Sequence, residues 1–263
     1  MLSFILSLFI STASAASCPS AVYGIPENNP TLQTVDICHT GYFTKYSYTK
    51  KDPALTIWSI SKTTATGCLS RQGNFSHDPE LENTPFVDAN PSDYDKTGYD
   101  KGHIADAKDF EYDVKTERES FYMTNMTPQE PGLNRNGWKW FEAFSRVLAV
   151  EYNNVVIYSG PVFTNNDSIL TDDVVIPEYF YKIVYIPSLN KAISILVPNK
   201  DISGSDILNY LVSVDEIQNK IGFNILLPSQ YDKSTIETKQ SLKSDINFKL
   251  LSAQTNQVCG IKN

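Results

Sequence analysis

Arginine is scarce in this chain, with four against eighteen lysines, and histidine is scarcer still, with three. The four cysteines contain no Cys-x-x-C pair, which removes support for a structural zinc site or a thioredoxin-like motif. No Gly-x-Ser-x-Gly occurs among the twelve glycines, so an esterase built on a nucleophile elbow is excluded. No run reaches about 18 consecutive apolar residues, the length a membrane-spanning helix needs. Repeats and low-complexity tracts are absent, which excludes solenoids and disordered arrays. A surplus of positive charge is also missing: the net charge is −8 and the pI about 4.9. A protein that coats phosphates generally is thereby excluded, and any polyanion site must be a local basic patch on an acidic body.

What is present is ordinary globular material. The 263 residues are 41% hydrophobic and 20% charged, enough for one large domain or two small ones. Fifteen Tyr and thirteen Phe suit a β-rich chain. Residues 2–10 (LSFILSLFI) form a short apolar run, and Ala13 and Ala15 then give the A-x-A pattern of a secretory cleavage site. A signal peptide over 1–15 is therefore expected, followed by one domain over 16–263 and a soluble, secreted product, extracellular or periplasmic. Export favours two disulfides. Four cysteines allow three connectivities. The expected pairs are Cys18–Cys38, closing a Pro-rich N-terminal loop, and Cys68–Cys259, tying down the C-terminus.

Residues 18–54 read as an irregular lead-in. Leu55–Ile60 alternates with a β period, residues 73–98 read as a long loop, and Phe121-Tyr122-Met123 as a short strand. Residues 138–152 carry apolar side chains at helical spacing on more than one face. Val155–Tyr158, Phe180–Tyr185 and Ala192–Val197 read as strands. Ser213-Val214-Asp215-Glu216 is a capping box opening a short helix that Gly222 can end. The order of strands and helices predicts an α+β domain with an antiparallel-dominated sheet.

Chemistry concentrates between residues 71 and 142. His103, in Tyr99-Asp100-Lys101-Gly102-His103, is a candidate general base, because an imidazole near its unperturbed pKa is largely neutral at pH 7. A bland loop histidine is the competing reading. Asn134 can offer a carbonyl oxygen to a hard cation such as Mg²⁺. Glu142 stands eight residues on; if both are helical they lie within about 80° of one face. The competing readings are a cap or turn for the asparagines and a solvated helix face for the glutamate. The arginines, Arg71, Arg135 and Arg146 among them, lie in or near this region, a pattern that suits bidentate phosphate contacts.

Taken in order, these motifs resemble the DNA/RNA non-specific endonucleases, the ββα-metal nucleases that include the Serratia nuclease and mitochondrial endonuclease G. The family's Asp-Arg-Gly-His is similar to Asp100-Lys101-Gly102-His103, and its Asn-x-x-Pro-Gln to Asn125-Met126-Thr127-Pro128-Gln129. Leu133-Asn134, Trp138 and Glu142 match its Leu-Asn-x-x-x-Trp with a glutamate eight residues beyond the asparagine. Arg71, Phe75 and Asp78 resemble its upstream arginine segment. Tyr158–Phe163, Ile176-Pro177 with Tyr181-Lys182, and Val197-Pro198 resemble its later strands, so that ordered matches run from about 55 to 228.

The resemblance implies a ββα-metal fold and a Mg²⁺-dependent (or Mn²⁺-dependent) endonuclease. Its substrates would be DNA and RNA, and its products 5′-phosphate ends. It implies His103 as general base, Asn134 as the direct metal ligand, Glu142 as the holder of a metal-bound water, and Arg71 as the stabiliser of transition-state charge. Lys101, Asn125 and Arg135 would contact substrate or shape the loop around it. Lys101 departs from the family arginine, keeping the charge and losing the planar fork. A catalytically impaired nucleic-acid-binding protein on the same fold is the alternative. An inhibitor protein as partner, and the oligomeric state, are not set by these motifs.

Overall fold

The computed structural model describes residues 18–245. Its centre is a six-stranded, wholly antiparallel sheet. The strands are β1 (Val35–Cys38), β2 (Tyr42–Ser47), β3 (Asp52–Ser61), β6 (Asn154–Val162), β9 (Tyr179–Ile186) and β10 (Lys191–Pro198), side by side in that order. A separate two-stranded ribbon joins β4 (Asp100–His103) to β5 (Met126–Gln129), and a second small one joins β7 (Ser168–Ile169) to β8 (Val175–Ile176). The helices are α1 (Val114–Glu119), α2 (Lys139–Tyr152), α3 (Val214–Ile221) and α4 (Lys239–Asp245).

The central strands read as near-continuous apolar runs because both sheet faces are covered. On one face Trp58, Ile157, Phe180, Val184 and Ile195 pack with Phe141, Phe144 and Leu148 of α2. On the other, Ile57, Tyr158, Ile183 and Tyr185 pack with Val214 and Ile217 of α3. Among the described residues no helix is long and apolar enough to cross a membrane.

The expected strands over 55–60, 155–158, 180–185 and 192–197 lie inside β3, β6, β9 and β10. The helix over 138–152 is α2, and α3 starts as its capping box predicts: Ser213 Oγ accepts from Glu216 N at 3.1 Å, and Gly222 closes it at φ +71°. Two expectations are corrected. Residues 18–54 are not an irregular lead-in, since they contain β1, β2 and the start of β3. The alternating aromatics and threonine of Tyr42–Ser47 outweigh the turn residues around them. Phe121–Met123 is not a strand: Tyr122 makes one isolated bridge to Ser76, and the extended pairing begins at Met126. The Cys18–Cys38 disulfide is present. Cys259 and the expected signal segment 1–15 lie outside the described residues.

Candidate active site

The β4–β5 ribbon and the N-terminal end of α2 carry the residues singled out by the sequence. Gly102 is required where the two strands meet, because a Cβ there would lie 2.4 Å from Gln129 Oε1. His103 follows, opposite Met126. Its ring packs edge-on against Phe121, centroids 4.7 Å apart, and lies 5.7 Å from Phe75. The residue is partly exposed, yet Nε2 is sealed from solvent without a hydrogen-bond partner. Burial lowers its pKa to about 4; the charge of Asp106 opposes that shift and the charge of Arg71 adds to it. The ring is therefore neutral at pH 7. The other two histidines are tied to carboxylates: His39 Nε2 lies 3.0 Å from Asp78, and His77 Nδ1 bonds Asp88.

Arg71 is exposed, donates Nε to the Gly73 carbonyl at 3.0 Å, and stacks its guanidinium over Phe121 at 4.2 Å and Phe75 at 5.2 Å. Lys101 shares the His103 side of β4, since strand side chains alternate. Its ammonium lies over Phe75 and Tyr94 and 3.4 Å from Asp95. The Phe75 ring thus stands between two cations and beside the histidine.

Asn134 sits in a π-helical segment, Leu133–Trp138, that runs into α2. Single π-turns recur at functional positions. The wider turn replaces the regular helix on which the 80° relation of Asn134 to Glu142 was calculated. Asn134 donates Nδ2 to Asp100 Oδ2 at 2.8 Å, which ties it to β4 and leaves the amide oxygen as its acceptor. Arg135 grips the same carboxylate with Nε at 2.8 Å and Nη2 at 2.5 Å. Burial alone would raise the Asp100 pKa, but these bonds hold it below the usual carboxylate range.

Asn125, expected to contact substrate or to shape the loop around it, is fully buried. Its amide receives Ala105 N at 2.9 Å and donates to the carbonyls of Ala105 and Ser120. It shapes the turn after His103 from behind.

Glu142 is not on a solvated face. It is 8% exposed on α2, and its Oε1 lies 3.6 Å from Lys182 Nζ. One turn on, Arg146 Nη1 bonds Asp106 and also Asp109 Oδ1 at 2.8 Å, while Trp58 Nε1 donates to Asp109 Oδ2 at 2.8 Å. Burial, then the charge of Asp106, raises the Glu142 pKa to about 8 against the pull of Lys182 and Arg146. Burial likewise lifts Asp109 to about 6, whereas Arg146 overcomes burial at Asp106 and lowers it. The Asp106 charge acts on both His103 and Glu142, which places the strand and helix contributions in one field. The motif reading took Lys182 only as part of a strand and did not single out Asp106 or Asp109. A lone cation inside the apolar run Phe180–Tyr185 was the signal for the first.

A ββα-metal nuclease architecture is the class that this sheet, ribbon and following helix define. A family model described as DNA/RNA non-specific endonuclease matches residues 22–231, and the chain belongs to that family. It is 31% identical over 199 residues to a nuclease of Nostoc sp., covering 70% of each chain. It is 30% identical over 167 residues to human mitochondrial endonuclease G, covering 58% of this chain and 56% of that one. The solved EndoG/EndoGI complex matches with TM-score 0.69 and 25% identity, over 79% of this chain and 90% of that one. The protein is thus a nuclease.

Proposed function

We propose that this protein is a secreted, Mg²⁺-dependent endonuclease that hydrolyses phosphodiester bonds of DNA and RNA to 5′-phosphate products. The observation that carries the reading is His103: neutral, held by Phe75 and Phe121, and the one histidine of the three without a carboxylate partner. With Nε2 sealed, Nδ1 is the nitrogen left to meet water and take its proton.

The donor set fits a hydrated hard cation. Asn134 keeps a neutral amide oxygen free, and no cluster of three or more acidic, histidine or cysteine ligands exists among the described residues. Mg²⁺ holds most of its waters and needs few protein ligands. Asn134 would hold the ion, which supplies charge neutralisation at the phosphate and leaving oxygen. Glu142 would orient water beside it. Arg71, fixed on two aromatic faces, offers its remaining N–H groups to the extra negative charge that develops in the transition state. Lys101 and the outer edge of Arg135 meet the backbone of the substrate. Contacts of this kind read phosphate and sugar in place of base edges, which explains tolerance for both nucleic acids.

The apolar N-terminal run and the Cys18–Cys38 bridge support export. Plasmid and RNA incubated side by side with Mg²⁺ or chelator test the assignment. Cleavage of both, abolished by chelator and by His103→Ala, is expected; a gel shift without cleavage would overturn it. Asn134→Ala should raise the Mg²⁺ concentration needed for half-maximal rate, and an unchanged titration would remove that residue as the ligand.

A further inference from the structure

Lys182 is 1% exposed in the middle of β9. Lysine is almost never sealed in a core unless its charge is paired, because its ammonium is strongly hydrated and its stem is flexible. Here the stem has lost its freedom: Nζ lies 4.3 Å from the Trp138 ring centroid and 5.5 Å from that of Trp58. Cation–π contact replaces part of the lost hydration and fixes where the charge sits. The charge then meets the Glu142 carboxylate at 3.6 Å and also acts on Asp106.

The groups facing Glu142 make the need for that charge plain. Asp106 approaches from the turn after β4, Asp109 from the following 3₁₀ turn, Arg146 from one turn along α2, and Lys182 from the sheet. Arg146 is already engaged by Asp106 and Asp109. Without Lys182 the cluster would set three acids, Asp109 and Glu142 buried and Asp106 partly so, against one cation, and Glu142 is the acid that Arg146 does not bond.

We propose that Lys182 is a positioning residue of the active site: clamped between Trp58 and Trp138, its ammonium fixes the Glu142 carboxylate in place and balances the surrounding acids. The catalytic consequence rests on the nuclease reading above; the electrostatic pairing does not. Lys182 touches no reacting atom in this scheme. It acts through Glu142, and the chain invests two buried tryptophans in aiming it.

The test compares wild type, Lys182→Met, Lys182→Gln and Lys182→Arg. Carboxyl carbon NMR of the metal-free protein follows the Glu142 titration, and the pH dependence of kcat/KM is recorded on plasmid DNA. Removing the charge is expected to move the Glu142 midpoint up by about one pH unit or more. The rising limb of the rate profile should move with it, with about tenfold loss at pH 7 and recovery at alkaline pH. Lys182→Arg is expected to restore most of both. An unmoved Glu142 midpoint, or a uniform rate loss with an unmoved profile, would overturn the proposal. If the uncharged variants fail to fold, Glu142→Gln provides the converse measurement. The Lys182 Nζ chemical shift, read by nitrogen NMR at fixed pH, should move when its carboxylate partner is removed, and an unmoved signal would refute the pairing. Failure of the nuclease reading looks different: wild type would show no metal-dependent cleavage, while the NMR arms, which need neither metal nor substrate, still decide the pair.

Discussion

Replacing Glu142 with glutamine should reveal how much folding free energy is spent to keep this carboxylate buried. Its pKa stands at about 8 against an ordinary 4.5, with burial the largest cause. The folded state therefore holds the proton more tightly than the unfolded chain does. Stability from this group is fully present below pH 4.5 and is lost as pH rises through about 8. At about 1.4 kcal/mol per pH unit the displacement caps the loss at about 5 kcal/mol, and relaxation with water entry should leave about 2–3 kcal/mol observable. Glutamine imitates the protonated acid at every pH and so cannot lose this contribution. The assay is denaturant unfolding of the metal-free, disulfide-intact protein at pH 5, 6.5 and 8. Wild type and variant should be similar in stability at pH 5, with the variant pulling ahead by about 2–3 kcal/mol at pH 8. Parallel pH dependences would refute the reasoning and show that water reaches the carboxylate and solvates its charge.

Other outcomes follow from the same contacts. His103→Ala should lower kcat/KM by about 10²–10⁴-fold with folding retained. The ring, followed by imidazole NMR in the metal-free protein, should titrate near pH 4 and not near 6.5, since burial holds the neutral form; a normal rate in the variant would remove the base assignment. Lys101→Arg should be neutral or activating, because a guanidinium can stack on the Phe75 and Tyr94 faces that Lys101 already covers. A loss beyond about tenfold, about 1.4 kcal/mol, measured on DNA and on RNA, would show a site rebuilt around lysine. The double change Cys18→Ser with Cys38→Ser opens a link of sequence separation 20. It should cost about 3 kcal/mol of unfolding free energy by loop-closure entropy, and an unchanged denaturation midpoint would count against that account.

Much of the fold and site was legible in one dimension for identifiable reasons. The strands from Leu55 onward announce themselves because a sheet covered on both faces demands uninterrupted apolar runs. Helix α3 is written in its own cap, as Ser213 and Gly222 satisfy backbone groups a few residues away. The proposed catalytic motif is likewise local: Asp100 to His103 is one short strand, and Asn134 and Glu142 flank one helix start. Tyr42–Ser47 was harder to read, because its partners β1 and β3 supply the pairing and the surrounding turn residues mask the period.

The sequence by itself determined the chemical cast: one histidine, one asparagine, one glutamate and a few cations at spacings short enough to be read along the chain. Tertiary structure alone decided their states. Asn125 became a buried brace, because its amide satisfies backbone groups 5 and 20 residues away. Glu142 became a buried acid facing Lys182, 40 residues further along the chain on a central strand. Charge state depends on burial and on neighbours within a few ångströms, and those neighbours are set by how a sheet and a helix pack, which no local spacing encodes.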